Sequence, residues 1–235
     1  MRAHVLGIAL GAGVLVSPSA PVAASGSAAS ERVTIDGFAI DQTEVTIGRF
    51  RAFVKANAVV TAAEQEGGGL EYGNGWERRP GWAWDKPYGT PGADDEPAVH
   101  VSWSEAQAFC RFAGGRLPSQ AEWTKAAYIE LRPAPPDGFE KGRSYIYPVG
   151  DKPDGMNNSR RRHVPVGTTK PGVNGLYDMG ANVWEWLADR RGETALTAGG
   201  SWWYGPENTR AEAMQWKPAA FTVVYIGFRC AYDLR

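Results

Sequence analysis

The sequence is poor in the side chains that most often bind catalytic metals. Of its 235 residues, only three are His and two are Cys. His4 lies in an N-terminal export signal, described below, so the mature chain holds His100 and His163 alone. These two residues are far apart in the chain and form no metal-ligand motif. An iron or zinc site built from three His of this chain is therefore excluded.

Other common signatures of function are also missing. The chain has no nucleophile elbow, no phosphate-binding loop and no dinucleotide fingerprint. Its formal net charge of −1 gives no reason to expect nucleic acid or an acidic membrane surface as a partner. No internal repeat and no linker divides the chain, which favours one domain.

The N-terminal segment has the pattern of an export signal. A short basic start precedes the apolar run Val5–Val16, which is too short to span a bilayer. Small residues up to Ala24 then offer a cleavage site, so we predict a signal peptide over 1–24 and a periplasmic or secreted protein. Residues 25–31 are small and polar and are predicted to be a disordered lead-in to a domain over 32–235.

The composition predicts a loop-rich fold. Ten Trp, 29 Gly and 16 Pro are typical of a globule with an aromatic core and argue against a helical bundle. The even number of Cys in an exported chain favours a disulfide between Cys110 and Cys230, with two buried free thiols as the alternative.

Local patterns predict a few regular elements. Residues 33–40 alternate as in a strand, and the apolar positions of 47–54 follow a helical period. Capping boxes at Ser102–Glu105 and Ser119–Glu122 predict the starts of two further helices. The segment 64–97 has no helical period and is predicted to be a long loop that packs back onto the surface.

The segment Asn174–Trp186 concentrates oxygen ligands. If residues 181–186 are extended, the carbonyls of Ala181 and Val183 and the Glu185 carboxylate lie on one side of the chain. Asp178, in the preceding turn, can lie close to the same point. Such a set suits calcium. The alternative, favoured on chemistry alone, is an amphipathic strand with buried Trp and a solvated Glu185.

Two other segments carry interpretations of their own. The glycine pair before Ser201, Trp202 and Trp203 predicts either the floor of a ligand groove or a bulged core strand, with equal support for each. The basic run Arg160–His163 is predicted to be a solvated loop rather than a ligand site.

Six segments are to be read together: Asp41–Thr46, Pro97–Trp103, Cys110–Trp123, Asn174–Trp186, Gly199–Trp202 and Gly227–Ala231. Over nearly all of the mature chain, and in the family's order, they resemble the formylglycine-generating enzyme and sulfatase-modifying-factor family. The resemblance implies an irregular α+β fold, a variant of the C-type-lectin fold. It also implies that Cys110 and Cys230 are bonded.

The resemblance bears on metals in two ways. It implies structural calcium bound by Asp178 and Glu185 through side chains and by Ala181 and Val183 through carbonyls, although Ala181 replaces a usual Gly. It also shows a departure, because the two Cys of the copper-using enzymes match Tyr204 and Thr209 here. Copper(I) needs thiolates, so the chain is not expected to oxidise sulfatase cysteines, and iron binding stays open.

Two functions are therefore predicted from the sequence. The first is an exported, monomeric oxidoreductase-like enzyme acting on a peptide or small molecule. Its catalytic candidates are Trp184, Ser201 and Tyr204, and its groove would be formed by Trp202, Trp203, Glu207 and Arg210. The alternative is a non-catalytic scaffold of the C-type-lectin type that displays residues 203–225 to a ligand or protein.

Overall fold

The computed structural model describes residues 30–234. The predicted signal peptide and most of the predicted lead-in lie outside the described residues. Within 30–234, no helix is long and apolar enough to cross a membrane. Short helices and three small sheets are connected by long irregular segments, as the Gly and Pro content predicts.

The first sheet joins the two ends of the domain. Its strands β1 (Arg32–Thr34) and β2 (Phe38–Asp41) form an antiparallel hairpin, and β2 also pairs with the last strand, Ala231–Asp233. The single strand predicted over 33–40 is therefore wrong. The chain reverses at Gly37, whose φ of 88° lies in a region that Gly adopts at little steric cost.

Four helices follow in the first half: α1 (Ile47–Asn57), α2 (Ala62–Gln65), α3 (Trp103–Phe112) and α4 (Gln120–Tyr128). Both predicted capping boxes are present. The Ser102 amide donates to Glu105 Oε2 over 2.8 Å, and the Ser119 amide donates to Glu122 Oε2 over the same distance. These side chains satisfy amides that a helix N-terminus leaves without a partner.

The predicted long loop over 64–97 contains a small hairpin. Its strands are β3 (Leu70–Tyr72) and β4 (Trp76–Arg78). Leu70 anchors the hairpin to the C-terminal part of the chain, since its amide donates to the Thr222 carbonyl over 2.7 Å and its carbonyl accepts from the Val224 amide over 3.2 Å. The loop therefore packs back onto the domain, as predicted.

The central sheet has four strands in the order β7, β6, β5, β8. These are β5 (Trp184–Arg191), β6 (Thr194–Ala198), β7 (Gln215–Pro218) and β8 (Ile226–Gly227). β5 pairs antiparallel with β6 and parallel with β8, and the first four residues of β5 are all buried. Single turns of 3-10 helix lie at Val173–Gly175, Pro206–Thr209 and Ala211–Ala213. The final strand, β9, is the Ala231–Asp233 strand of the first sheet.

The core is aromatic and is crossed by one disulfide. The Phe109 ring of α3 lies 5.8 Å from the Phe50 ring of α1 and 5.4 Å from Phe228, measured between centroids. Beside these rings, Cys110 and Cys230 are bonded, with their Cα atoms 5.4 Å apart. The structure therefore has the predicted disulfide and excludes the alternative of two free thiols.

Candidate functional site

The start of β5 carries a buried ion pair. Glu185 is 1% exposed and accepts two hydrogen bonds from Arg229, to Oε1 over 2.7 Å and to Oε2 over 2.8 Å. Trp123 Nε1 donates to the same Oε2 over 2.7 Å. The interpretation of Glu185 as a solvated residue is therefore wrong, because helix α4 covers the face of the strand that alternation assigned to water.

Two further carboxylates lie close to this pair. Glu44 accepts from Asn182 Nδ2 over 2.7 Å and from the Val183 amide over 3.2 Å. Asp178 accepts from the Gly167 amide over 2.7 Å and from Thr169 Oγ1 over 2.6 Å. Together with Glu185 they place three buried carboxylates around one buried guanidinium, and we call this set the Arg229 cluster.

The Arg229 cluster has an excess of negative charge. Burial, together with the charges of Asp178 and Glu185, raises the pKa of Glu44 well above its usual value. Burial also raises the pKa of Asp178. Burial disfavours the Arg229 cation, but the charge of Glu185 offsets this and the Arg229 pKa is raised. The cluster therefore keeps one positive group firmly charged and pushes two of its carboxyl groups toward protonation.

The backbone beside the cluster is strained. Asp178, Ala181 and Asn182 have φ angles of 59°, 64° and 50°, in the left-handed region. That region is uncommon for residues other than Gly, and Asn and Asp tolerate it better than Ala does. The φ of Ala181 is one that Gly adopts at little steric cost, which agrees with the Gly that the family resemblance implies at this position.

The predicted calcium ligands do not present an assembled oxygen cage. Each carboxylate oxygen of Glu185 and Asp178 already accepts a hydrogen bond from a protein donor. Among residues 30–234, no group of three or more His, Cys, Asp and Glu side chains is placed to hold a metal. The negative charge of the cluster favours a cation, but its present hydrogen bonds would have to be exchanged. Calcium binding stays a prediction.

A second candidate site is aromatic. The rings of Trp184 and Tyr204 lie 5.5 Å apart, and Tyr204 lies 6.0 Å from Tyr225. Trp76 of the β3–β4 hairpin continues the path, 6.2 Å from Tyr225 and 4.9 Å from Phe221. We call these five residues the aromatic cluster. It runs from Trp76, which is 46% exposed, to Trp184, which is fully buried.

One charged side chain belongs to this second site. Lys217 on the edge strand β7 places its Nζ over the Trp184 ring, 4.7 Å from the centroid, and 6.0 Å from the centroid of Tyr204. No sequence pattern indicated Lys217, Tyr225 or Trp76 individually, because the residues that meet here are distant in the chain.

The other predicted groove residues are dispersed. Ser201 is fully buried, and its Oγ accepts from the Trp203 amide over 3.4 Å. Trp202 packs in the core, whereas Trp203 is 43% exposed. Arg210 donates to the Tyr147 hydroxyl over 2.8 Å, and Glu207 is exposed. Of the predicted catalytic residues, the structure thus brings Trp184 and Tyr204 together as ring neighbours.

The residues present do not fit a copper(I) site. The chain has two Cys, and both form the disulfide. Tyr204 and Thr209 are the residues that the family resemblance matches to the thiols of the copper-using enzymes. Phenol and alcohol oxygens are poor ligands for the soft copper(I) ion, so these two positions do not support copper chemistry.

The basic run Arg160–His163 is only partly solvated. His163 is 2% exposed, and its Nε2 lies 2.7 Å from Glu96 Oε2, while its Nδ1 lies 3.2 Å from the Tyr88 hydroxyl. The hydrogen bond from His163 lowers the pKa of Glu96 to about 2, and burial lowers the pKa of His163. The prediction of a solvated loop is therefore wrong for His163. Its contacts with Tyr88 and Glu96 hold the end of the 64–97 segment against the domain.

Sequence comparison identifies the family. The family model of the sulfatase-modifying factor enzyme 1-like domain matches residues 8–234, and the chain belongs to this family. It is 32% identical over 203 residues to the inactive C-alpha-formylglycine-generating enzyme 2 of Mus musculus, covering 74% of this chain and 65% of that relative. It is 33% identical over 189 residues to the formylglycine-generating enzyme of Thermomonospora curvata, covering 67% of this chain and 61% of that one. The chain thus spans less than two thirds of either relative.

Solved structures confirm the fold. PvdO from Pseudomonas aeruginosa aligns with a TM-score of 0.60 and 22% identity, over 84% of this chain and 80% of PvdO. Treponema denticola variable protein 1 aligns with a TM-score of 0.59 and 19% identity, over 84% of each chain. The predicted α+β fold of the formylglycine-generating-enzyme type is confirmed, and at these identities the likeness concerns the fold alone.

Proposed function

We propose that this protein is a binding member of the formylglycine-generating-enzyme family, and that the aromatic cluster takes a flat apolar group of a peptide or small molecule. The observation that carries the proposal is the continuous path of rings from exposed Trp76 to buried Trp184. Aromatic rings supply large contact areas at low entropic cost, and they are common in ligand sites for that reason.

The proposal differs from the activity that gives the family its name. No thiol is free to bind copper(I), since both Cys are bonded. A relative at 32% identity is itself named an inactive formylglycine-generating enzyme, which supports a role without that activity. Export and a monomeric state, predicted from the sequence, are part of the same proposal.

The test uses indole, a flat and neutral probe. We expect millimolar indole to shift the indole N–H signals of Trp184 and Trp76 in NMR spectra of the ¹⁵N-labelled mature protein. Tyr204→Ala should weaken indole binding at least about fivefold, because it removes the ring between Trp184 and Tyr225. Trp216→Phe is the matched control, since Trp216 is an exposed aromatic residue outside the cluster. Shifts that avoid the cluster, or equal affinity in both variants, would contradict the proposal.

A second candidate function is the oxidoreductase predicted from the sequence. The observation that favours it is the grouping of ionisable side chains at the aromatic cluster, where the Lys217 amine lies 6.0 Å from the Tyr204 ring and the Tyr225 ring lies 6.0 Å from that of Tyr204. Such groups can move protons as well as bind a ligand. This candidate needs a redox partner that the chain's own residues do not supply.

Metal content separates the two candidates and tests the calcium prediction. We expect elemental analysis of the mature protein, purified without chelator, to find about one equivalent of calcium, because the family resemblance implies binding by Asp178, Glu185 and the carbonyls of Ala181 and Val183. EDTA should then lower the melting temperature, and added calcium should restore it. Asp178→Asn should bind calcium more weakly, and Asp151→Asn, at an exposed carboxylate, is its control.

The metal that is found decides between the two functions. Calcium without a transition metal supports the binding function. Stoichiometric iron or copper would instead favour the oxidoreductase, with ligands that no sequence pattern indicated. A protein without calcium, whose melting temperature is unchanged by EDTA, would remove the calcium prediction.

A further inference from the structure

Lys217 is an ammonium group without an anionic partner. Its side chain extends inward from β7, between the outward-facing Trp216 and Pro218. Its hydrogen-bond partner among residues 30–234 is Gln215 Oε1, at 2.8 Å. No carboxylate of the described residues lies within salt-bridge distance of it. A partly buried cation in such surroundings is costly unless something else supplies negative charge.

The rings beneath Lys217 stabilise it in part. Its Nζ lies within cation–π distance of Trp184 and at the limit of that distance from Tyr204. The ring faces carry no lone pairs, so they do not accept conventional hydrogen bonds from the other N–H groups of Lys217. An ammonium has three donors and no acceptor, so Gln215 leaves two donors free for an external acceptor.

A second donor at the same place also lacks a partner. Trp184 is fully buried, and its Nε1 has no hydrogen-bond partner in the described part of the chain. Buried indole N–H groups usually find an acceptor. Trp123 and Trp186, which are equally buried, donate to Glu185 Oε2 and to the Val101 carbonyl. Two other buried indoles of the described residues, those of Trp84 and Trp202, also have an Nε1 without a partner, so what distinguishes Trp184 is the Lys217 ammonium 4.7 Å from its ring centroid.

We propose that Lys217 and Trp184 form a carboxylate-binding site, and that the natural ligand carries a carboxylate on a flat apolar group. The ligand carboxylate would accept hydrogen bonds from the free donors of the Lys217 ammonium and from Trp184 Nε1, which lacks an acceptor. Tyr204, Tyr225 and Trp76 would contact the apolar part of the ligand. The inference rests on the proposed binding function and specifies the chemical class of the ligand.

The ionisation of Lys217 agrees with this site. Burial lowers the pKa of Lys217 to about 8. The titratable group that the structure places against it is the Tyr204 phenol, and the Tyr225 ring lies 6.0 Å beyond that of Tyr204. Burial raises the pKa of both phenols, so both stay neutral across the physiological range. A bound carboxylate would raise the pKa of Lys217 again. Carboxylate affinity should therefore be highest between about pH 6 and 7, where the ligand carboxylate and Lys217 are both charged, and should fall as the pH rises through about 8.

The experiment compares two probes that differ only in charge. Indole-3-propionate and its neutral amide are titrated into the mature protein by calorimetry or NMR at pH 7. We expect the carboxylate to bind at least about tenfold more tightly than the amide. Lys217→Met should abolish that preference, Lys217→Arg should keep most of it, and Lys141→Met, at an exposed lysine, should change nothing.

The outcomes distinguish this inference from the broader proposal. Equal binding of the two probes would overturn the carboxylate site and leave the aromatic cluster as a binding site for neutral groups. A preference that survives in Lys217→Met would assign the carboxylate to another residue and would overturn the inference. Binding of neither probe at about 20 mM, a concentration chosen to exceed weak dissociation constants, would also overturn it. Thermal unfolding of each variant shows whether it is folded before it is titrated.

Discussion

Replacing Arg229 with Met is expected to lower the free energy of unfolding by about 3–5 kcal/mol, the usual cost of removing one partner from a buried ion pair. The Arg229 side chain is 0% exposed and the Glu185 side chain 1%. Arg229 Nη1 also donates to the carbonyls of Asp41 and Gln42, and its Nη2 donates to that of Tyr177. The substitution would leave three carboxylates buried without a cation.

Chemical denaturation in the presence of EDTA measures this effect without interference from bound cations. Arg143→Met is the matched control, because Arg143 pairs with Asp151 at the surface, where the two side chains are 43% and 46% exposed. Exposed pairs contribute at most about 1 kcal/mol. Adding Glu185→Gln to Arg229→Met should recover at least about 1 kcal/mol, because it removes the unpaired charge. A loss below about 1 kcal/mol in the single variant would contradict the stabilising role of the ion pair.

Local signals predicted α1, α3 and α4, whereas α2 (Ala62–Gln65), which has its own capping box at Thr61, was not predicted. The capping boxes at Ser102 and Ser119 define helix starts through contacts three residues apart, and these contacts form in the structure. Such interactions need no information about the rest of the chain. The hairpin at Gly37 was missed because a Gly inside an alternating run is compatible with both a continuous strand and a reversal.

The environment of Glu185 could not be predicted from alternation. A period of two assigns one face of a strand to the core and assumes that water covers the other. In this fold helices cover that other face, since Trp123 of α4 bonds to Glu185 and Trp103 of α3 donates to the Leu187 carbonyl over 2.7 Å. The family motif identified the segment that contains Glu185, but the burial of Glu185 results from packing between distant parts of the chain.

The aromatic cluster shows the same limit more clearly. Trp184 and Tyr204 were named from motif positions, and they do meet. Lys217 and Trp76 have no local pattern that distinguishes them from other surface residues. They reach the site because β7 pairs with β6 and because Leu70 anchors the β3–β4 hairpin to the segment before β8. Such long-range pairings are not encoded in the spacing of neighbouring residues.

Removing the disulfide with Cys110→Ala and Cys230→Ala is expected to destabilise the domain by about 4–5 kcal/mol, according to the chain-entropy model. The two Cys are 120 residues apart in the chain, so the bond removes a large amount of loop entropy from the unfolded state. For a domain of this size, such a loss corresponds to a fall of about 10–20 °C in melting temperature.

Two comparisons separate the bond from the packing of the sulfur atoms. Cys110→Ala alone should lose nearly as much stability as the double variant, because either change removes the same loop constraint. Dithiothreitol should destabilise the wild-type protein once unfolding exposes the bond, and it should have no effect on the double variant. A loss below about 1 kcal/mol in the double variant would show that the sheet joining β2 and β9 already holds the two ends of the domain together. That sheet, rather than the covalent bond, would then be the main constraint on the position of Arg229, which directly precedes Cys230.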